Sequence, residues 1–247
     1  MQSRLAAFTC TALLLVPSLA RADAPATQYV YNFTYSANQD ISARDSGATQ
    51  GVSQDNVSGG GNGMSHYGGT LNDKGTMTVD VMGKQPDGGL IVNISEQGEN
   101  TRRAPAATCV TYGNTRVICD PNKTVYTEEY TLLRFLGPNF VDPNQLDAKK
   151  HWQTSQPGSG ETVTADYTIN SNSGGIMQIG ETRTSKPTNG AQTTLQIEAK
   201  ITYDYGRSLP TAIDEYVQQR SENGVTGTSK TTYQTTLALA SSTPAKP

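Results

Sequence analysis

Between Leu195 and Tyr205 apolar and polar residues alternate without a break. Leu195, Ile197, Ala199, Ile201, Tyr203 and Tyr205 fall on one parity, and Gln196, Glu198, Lys200, Thr202 and Asp204 fall on the other. Successive side chains point to opposite sides only in an extended strand, so this period excludes a helix. The segment must be a strand with one dry face and one wet face. The same pattern recurs near the start of the chain, where Tyr29, Tyr31, Phe33, Tyr35 and Ile41 oppose Asn32, Thr34, Ser36 and Asn38. Met77, Val79 and Val81 repeat it, Pro86-Asp87-Gly88-Gly89 turns the chain, and Leu90, Val92 and Ile94 return as the second arm of a hairpin.

Val163, Ala165, Tyr167 and Ile169 begin a second run of strands, which continues around residues 176–184, 195–205, 211–219 and 225–239. Turns of a few residues make consecutive strands antiparallel neighbours. One helix interrupts them, over 127–136. Glu128 and Glu129 sit in its first turn, where carboxylates favour the positive end of the helix dipole. Tyr130 with Leu133, and Leu132 with Leu136, recur at helical spacing before Gly137-Pro138 stops it. So short a helix must dock on a sheet to persist. Residues 139–156 read as an irregular connection carrying Phe140, Val141 and Trp152. The fold class expected is mainly β: an antiparallel up-and-down curved sheet or half-barrel with one short helix, the alternative being a β-sandwich.

Residues 1–22 read as a cleavable signal peptide, with Arg4 ahead of an apolar run from Leu5 to Leu19 and Ala20-Arg21-Ala22 as the small-residue cleavage pattern. Its removal takes two arginines and no acid, moving the formal charge from −3 to −5. The expected compartment is therefore secreted or periplasmic, and the mature chain is not expected to span a membrane. Residues 23–240 would form a single curved antiparallel domain, with 45–69 a mobile Gly-rich loop and 241–247 a disordered tail. Apolar residues make up only 34% of the chain, which suits a sheet with one wet face. No basic block is present, so nucleic acid is not an expected partner.

Without the leader, Cys109 and Cys119 are the remaining cysteines, and they flank Tyr112-Gly113-Asn114-Thr115. If Gly113, Asn114 and Thr115 form a three-residue loop, Tyr112 faces Arg116 and Cys109 falls opposite Cys119. A two-residue loop would leave them out of register. A cross-hairpin disulfide is the expectation, in a compartment that permits oxidation.

This plan of long amphipathic strands with a helix between two halves resembles exported bacterial carrier domains of the lipoprotein-carrier, LolA-like half-barrel type, and other secreted curved-sheet domains of unknown function. The resemblance covers most of the mature chain. It departs from that family at the N-terminus, where a strand and a Gly-rich loop replace a helix, and no functional residue is carried over from it.

Signatures of chemistry are sparse. His66 and His151 lie far apart in sequence, with His66 in the Gly-rich stretch, and both read as surface residues. No Gly-x-Ser-x-Gly elbow, phosphate loop or clustered metal ligands occur, so no catalytic residue, metal or cofactor is expected. Asp80, Asp166 and Glu198 lie on polar strand parities, where only registry could bring them together. The aromatic stripes offer a different use. Tyr29, Tyr31, Phe33, Tyr35, Leu195, Ile197, Ile201 and Tyr203 are candidates to line a cavity on the concave face, against the plainer alternative of core packing. The expected function is an exported, non-enzymatic domain that binds an apolar small molecule or lipid chain there. The alternatives are a cell-envelope or surface interaction module binding another envelope protein, and a hydrolase with an unrecognised site.

Overall fold

The computed structural model describes residues 27–44, 58–60, 64–99, 103–113, 116–137, 140–145, 150–157, 161–187, 193–223 and 227–244. The leader lies outside them. The strands are β1 (Thr27–Arg44), β2 (Ser58–Gly60), β3 (Met64–Lys84), β4 (Leu90–Gly98), β5 (Arg103–Thr111) and β6 (Val117–Cys119). After helix α1 (Thr127–Phe135) come β7 (His151–Pro157), β8 (Glu161–Ser173), β9 (Ile176–Pro187), β10 (Thr193–Asp204), β11 (Leu209–Asn223) and β12 (Gly227–Pro244). All twelve strands join one sheet in the order β6-β5-β4-β3-β1-β12-β11-β10-β9-β8-β7, with β2 adding to β3. Every pairing is antiparallel. The fold is an open curved antiparallel sheet with one helix.

The order explains where the helix sits. The chain builds outward from β1 to the β6 edge, then must reach the opposite edge at β7 before building back to β12 beside β1. The link between the two edges carries α1 over the inner face. That face is the apolar parity of the strands: Tyr31 and Phe33, Met77 and Val79, Val92 and Ile94, Tyr167 and Ile169, Ile201 and Tyr203 are all buried in one cluster with Leu132, Leu133 and Phe135 of the helix. Gly137 ends the helix at φ +122°, a conformation other residues rarely adopt.

Four expectations need correction. Within the stretch expected to be a mobile loop, Ser58–Gly60 and Met64–Gly69 are strand, because the unusually long β1 offers backbone partners as far as Arg44, paired with Met64. A ladder needs backbone groups and not an apolar period. In the expected tail, Ser241 to Pro244 continue β12 against Val30 to Thr27. The connection expected over 139–156 holds a 3-10 turn at Pro143–Gln145 and then becomes β7, whose Trp152 stacks on Tyr167 with ring centroids 4.8 Å apart. Tyr130, assigned to the apolar helix face, is instead exposed, while nearly everything else on α1 is buried by the sheet curving around it.

The cysteine hairpin has the expected register. Cys109 pairs with Cys119, the backbone N–H of Tyr112 donates to the carbonyl of Arg116 at 3.1 Å, and the two sulfurs are bonded.

Candidate functional site

The helix is held to the inner face by charge as well as by apolar packing. Arg134 points from α1 into the sheet, where its Nη1 lies 3.1 Å from Glu181 Oε1 of β9 and its Nη2 bonds the carboxylate of Glu215 on β11. Thr131 Oγ1 donates to the same Glu215 at 2.6 Å, and the Tyr167 hydroxyl donates to Glu181 at 3.0 Å. Arg183 Nε stands 3.2 Å from Glu181 as well, too poorly aligned for a hydrogen bond but close enough for attraction. Charges this deep persist only when paired and hydrogen-bonded. Burial works against the charged Arg134, yet the two carboxylates outweigh it and raise its pKa further.

The other end of the helix meets a cluster of acids. Glu128 and Glu129 are both buried, and they converge with Glu96 of β4 and Asp73 of β3. Glu129 Oε2 accepts the backbone N–H of Tyr126 at 2.8 Å, closing the helix start. Glu96 faces Glu128 closely enough for the two carboxyls to share a hydrogen bond, which requires a proton on one of them. Desolvation and the charges of Glu128 and Glu129 push Glu96 up to about 9; burial and Glu128 push Glu129 up to about 7. Such a pair could in principle serve acid–base chemistry. Asp73 of this cluster also lines a surface recess of about 430 Å³, whereas Glu96, Glu128 and Glu129 are not part of that lining.

Past the helix, toward the far ends of β1, β3 and β12, the inner face is uncovered. A trough of about 380 Å³ lies there, lined by Tyr35, Ala37, Leu71, Thr231 and Tyr233. Ala37 is the common neighbour of Leu71 and Tyr233 across the two ladders. The rings of Tyr35 and Tyr233 stack 6.2 Å apart, and Leu71 is 42% exposed despite its apolar parity. At the opposite end of the strands, beside the end of the helix, a smaller recess of about 180 Å³ opens. Two wider depressions, of about 430 and 500 Å³, are lined mainly by outward residues such as Thr34, Lys74, Lys200 and Tyr216.

The residues singled out from the sequence divide among these places. Tyr35 lines the trough and Tyr29 the smaller recess. Tyr31, Phe33, Ile201 and Tyr203 are buried in the core that includes the helix. Two of their hydroxyls are committed, Tyr31 to the carbonyl of Pro210 and Tyr203 to that of Gly137, each at 2.8 Å. Ile197 is buried and Leu195 half-buried toward the start of β10. His151 lies half-exposed 3.4 Å from Asp166, while the side chain of His66 falls outside the described residues.

Sequence reasoning missed Leu71 and Tyr233, because a period read strand by strand does not reveal which apolar positions lie beyond the helix. It also missed Glu96, Glu181 and Glu215. These had a legible signal: each acid occupies the apolar parity of its own strand, after Ile94, after Ile179, and between Ile213 and Val217.

No family model matches this chain, and no curated protein matches it. Among solved structures its fold is similar to one described as "lipid-protein interactions in lipovitellin", with a TM-score of 0.50 and 10% sequence identity. The likeness covers 90% of this chain and 26% of that one, so this chain spans about a quarter of the lipovitellin chain it matches. At that identity the similarity is one of fold. Among the described residues, no helix is long and apolar enough to cross a membrane.

Proposed function

We propose that this is an exported, non-enzymatic protein that holds an apolar ligand, such as a lipid chain, on the uncovered part of its inner face. The observation that carries the reading is the trough beyond α1, where Leu71 and Ala37 remain accessible on the apolar side of a curved sheet. A fold shared with a lipid-associated protein, an open sheet and a disulfide support it. Ligand carbon laid against Leu71, Ala37 and the two tyrosine rings would leave water, at about 25 cal/mol for each Å² buried. The phenol groups of Tyr35 and Tyr233 would give the rim its polar points.

Native mass spectrometry of the protein purified from its producing cells, followed by extraction, tests this. Co-purified lipid that is lost in Leu71→Gln supports the reading. Protein that arrives empty and fails to bind a fluorescent fatty acyl probe at micromolar concentration overturns it. Leu71 is exposed enough for the substitution to leave the fold intact.

A further inference from the structure

The smaller recess, at the end of the sheet away from the trough, has a different character. Val81, Leu90, Leu136 and Leu209 wall it with apolar surface, and Lys84 and Arg207 belong to the same lining. The two recesses are separate: Tyr29 lines this one and Tyr35 the trough, with Tyr31 and Phe33 buried on the strand between them. Occupancy of the smaller recess therefore does not depend on whether the trough takes a ligand.

The charge balance of the recess is positive. Among the described residues Lys84 has no ion-pair partner, and Arg207 has one acid, Asp204, with its guanidinium 3.9 Å from Oδ2. Asp204 is already engaged, since its Oδ1 accepts the backbone N–H of Arg207 at 3.0 Å. The guanidinium lies 6.0 Å over the ring of Tyr29. Cations beside a helix C-terminus commonly serve its last carbonyls, but the two carbonyls just past this helix already have donors. The carbonyl of Leu136 accepts Thr111 Oγ1, and that of Gly137 accepts the Tyr203 hydroxyl, both at 2.8 Å. Two cations thus line the recess, and among the described residues Asp204 is the one acid paired with either of them.

Size limits what could fill it. A cavity of roughly 150 Å³ lined by aliphatic side chains takes up a single benzene ring, and this recess is about 180 Å³. That admits one ring or a short alkyl chain and not a whole acyl tail. The geometry points to a binding site for a small amphiphilic anion, a free monocarboxylate whose charged end lies between Lys84 and Arg207 and whose apolar end packs on Val81, Leu90, Leu136 and Leu209. A carboxylate there gains ion-to-ion hydrogen bonds, stronger than those the same cations give to the neutral hydroxyl of an alcohol of the same length.

Titration of the full chain with octanoate, octan-1-ol and acetate, followed by calorimetry, tests the site. Octanoate should bind saturably, octan-1-ol about tenfold more weakly for want of the charged contact, and acetate not measurably. The double variant Lys84→Gln/Arg207→Gln should bind octanoate no better than octan-1-ol, while melting where the parent does. Leu71→Gln should leave octanoate affinity unchanged. Equal binding of octanoate and octan-1-ol, octanoate binding that survives the double variant, or loss of it in Leu71→Gln would each overturn the assignment.

Discussion

Arg134 Nη1 lies 3.1 Å from Glu181 Oε1, and the two side chains are almost wholly shielded from water. This pair joins the one helix to the sheet at a point where apolar packing alone would be easier to build. Glu215 completes the arrangement on the other side of the guanidinium, with Thr131 returning a hydrogen bond from the helix. An ion cluster of this kind adds little net stability over apolar packing. It does fix the helix in one position and orientation, because any slide along the sheet strands a charge.

The asymmetry of buried ion pairs sets the first expected outcome. Arg134→Met removes the cation shared by Glu181 and Glu215, leaving Glu215 with Thr131 as its hydrogen-bond donor and Glu181 with Arg183 and Tyr167, so it should cost about 3–5 kcal/mol. Urea unfolding at neutral pH measures this as a lowered midpoint. A loss below 1 kcal/mol would mean the helix is held by its leucines and Phe135 alone.

Gly75 offers a second test. It pairs with Gly98 on β4, and a Cβ there would run into the carbonyl of Gln97. The obstacle is backbone and cannot swing aside, so Gly75→Ala should destabilise by about 3 kcal/mol, the upper end for overpacking. Gly69, on the same strand, provides the control. A Cβ at Gly69 would meet nothing within 4 Å, and Gly69→Ala should change stability by less than about 0.5 kcal/mol. Thermal melts of the two variants side by side make the comparison.

The difference between these glycines was not legible in the sequence, and the reason is general to this fold. Alternation is a local property, and it revealed most of the strands and their inward parity, but not β2, the first residues of β3 or β7, where no apolar period runs. The helix was equally local, readable from its acidic first turn and from Gly137. What alternation does not carry is the identity of non-sequential neighbours. The meeting of β1 with β12 joins residues more than two hundred positions apart, Thr34 beside Thr236 among them. Without that pairing, nothing located the uncovered ends of the strands, or placed Lys84 near Arg207. The buried acids were closer to legible. Glu181 and Glu215 interrupt apolar parities, and an acid on the dry face demands either a cation, as here, or a retained proton, as at Glu96. Arg134, among the leucines of α1, is the helical residue with the matching fault.

The disulfide supports one of the two shortest strands of the sheet. β6 has three residues and forms one edge, and Cys119 is tied there to the buried Cys109. The link closes a loop of ten positions, which on the chain-entropy account stabilises by about 2–3 kcal/mol. Cys109→Ala with Cys119→Ala should lose up to that amount without unfolding the remaining strands. Hydrogen exchange should show the amides of Val117 to Cys119 losing protection while those of β10 and β11 keep theirs. Uniform loss across the sheet would contradict this.

The acid cluster beneath the start of α1 makes stability depend on pH in a direction opposite to that of carboxylates paired with a cation. Glu96 and Glu129 are raised to about 9 and about 7, mainly by burial and then by neighbouring carboxylates. In the unfolded chain both return to about 4.3. Between these values the folded chain binds more protons than the unfolded chain, so stability falls as pH rises. The contribution is complete below about pH 4.3 and is lost through the Glu129 transition near 7 and the Glu96 transition near 9. Urea midpoints measured from pH 5 to pH 10 should therefore decline steadily. Glu96→Gln keeps the shape, can donate a hydrogen bond to Glu128 and never ionises. It should leave the midpoint at pH 5 nearly unchanged, raise it at pH 9 to 10, and flatten the upper part of the profile. A parent profile that stays level from pH 6 to pH 10 would show that the four carboxyls are solvated when folded, and that α1 does not rest on a shared proton.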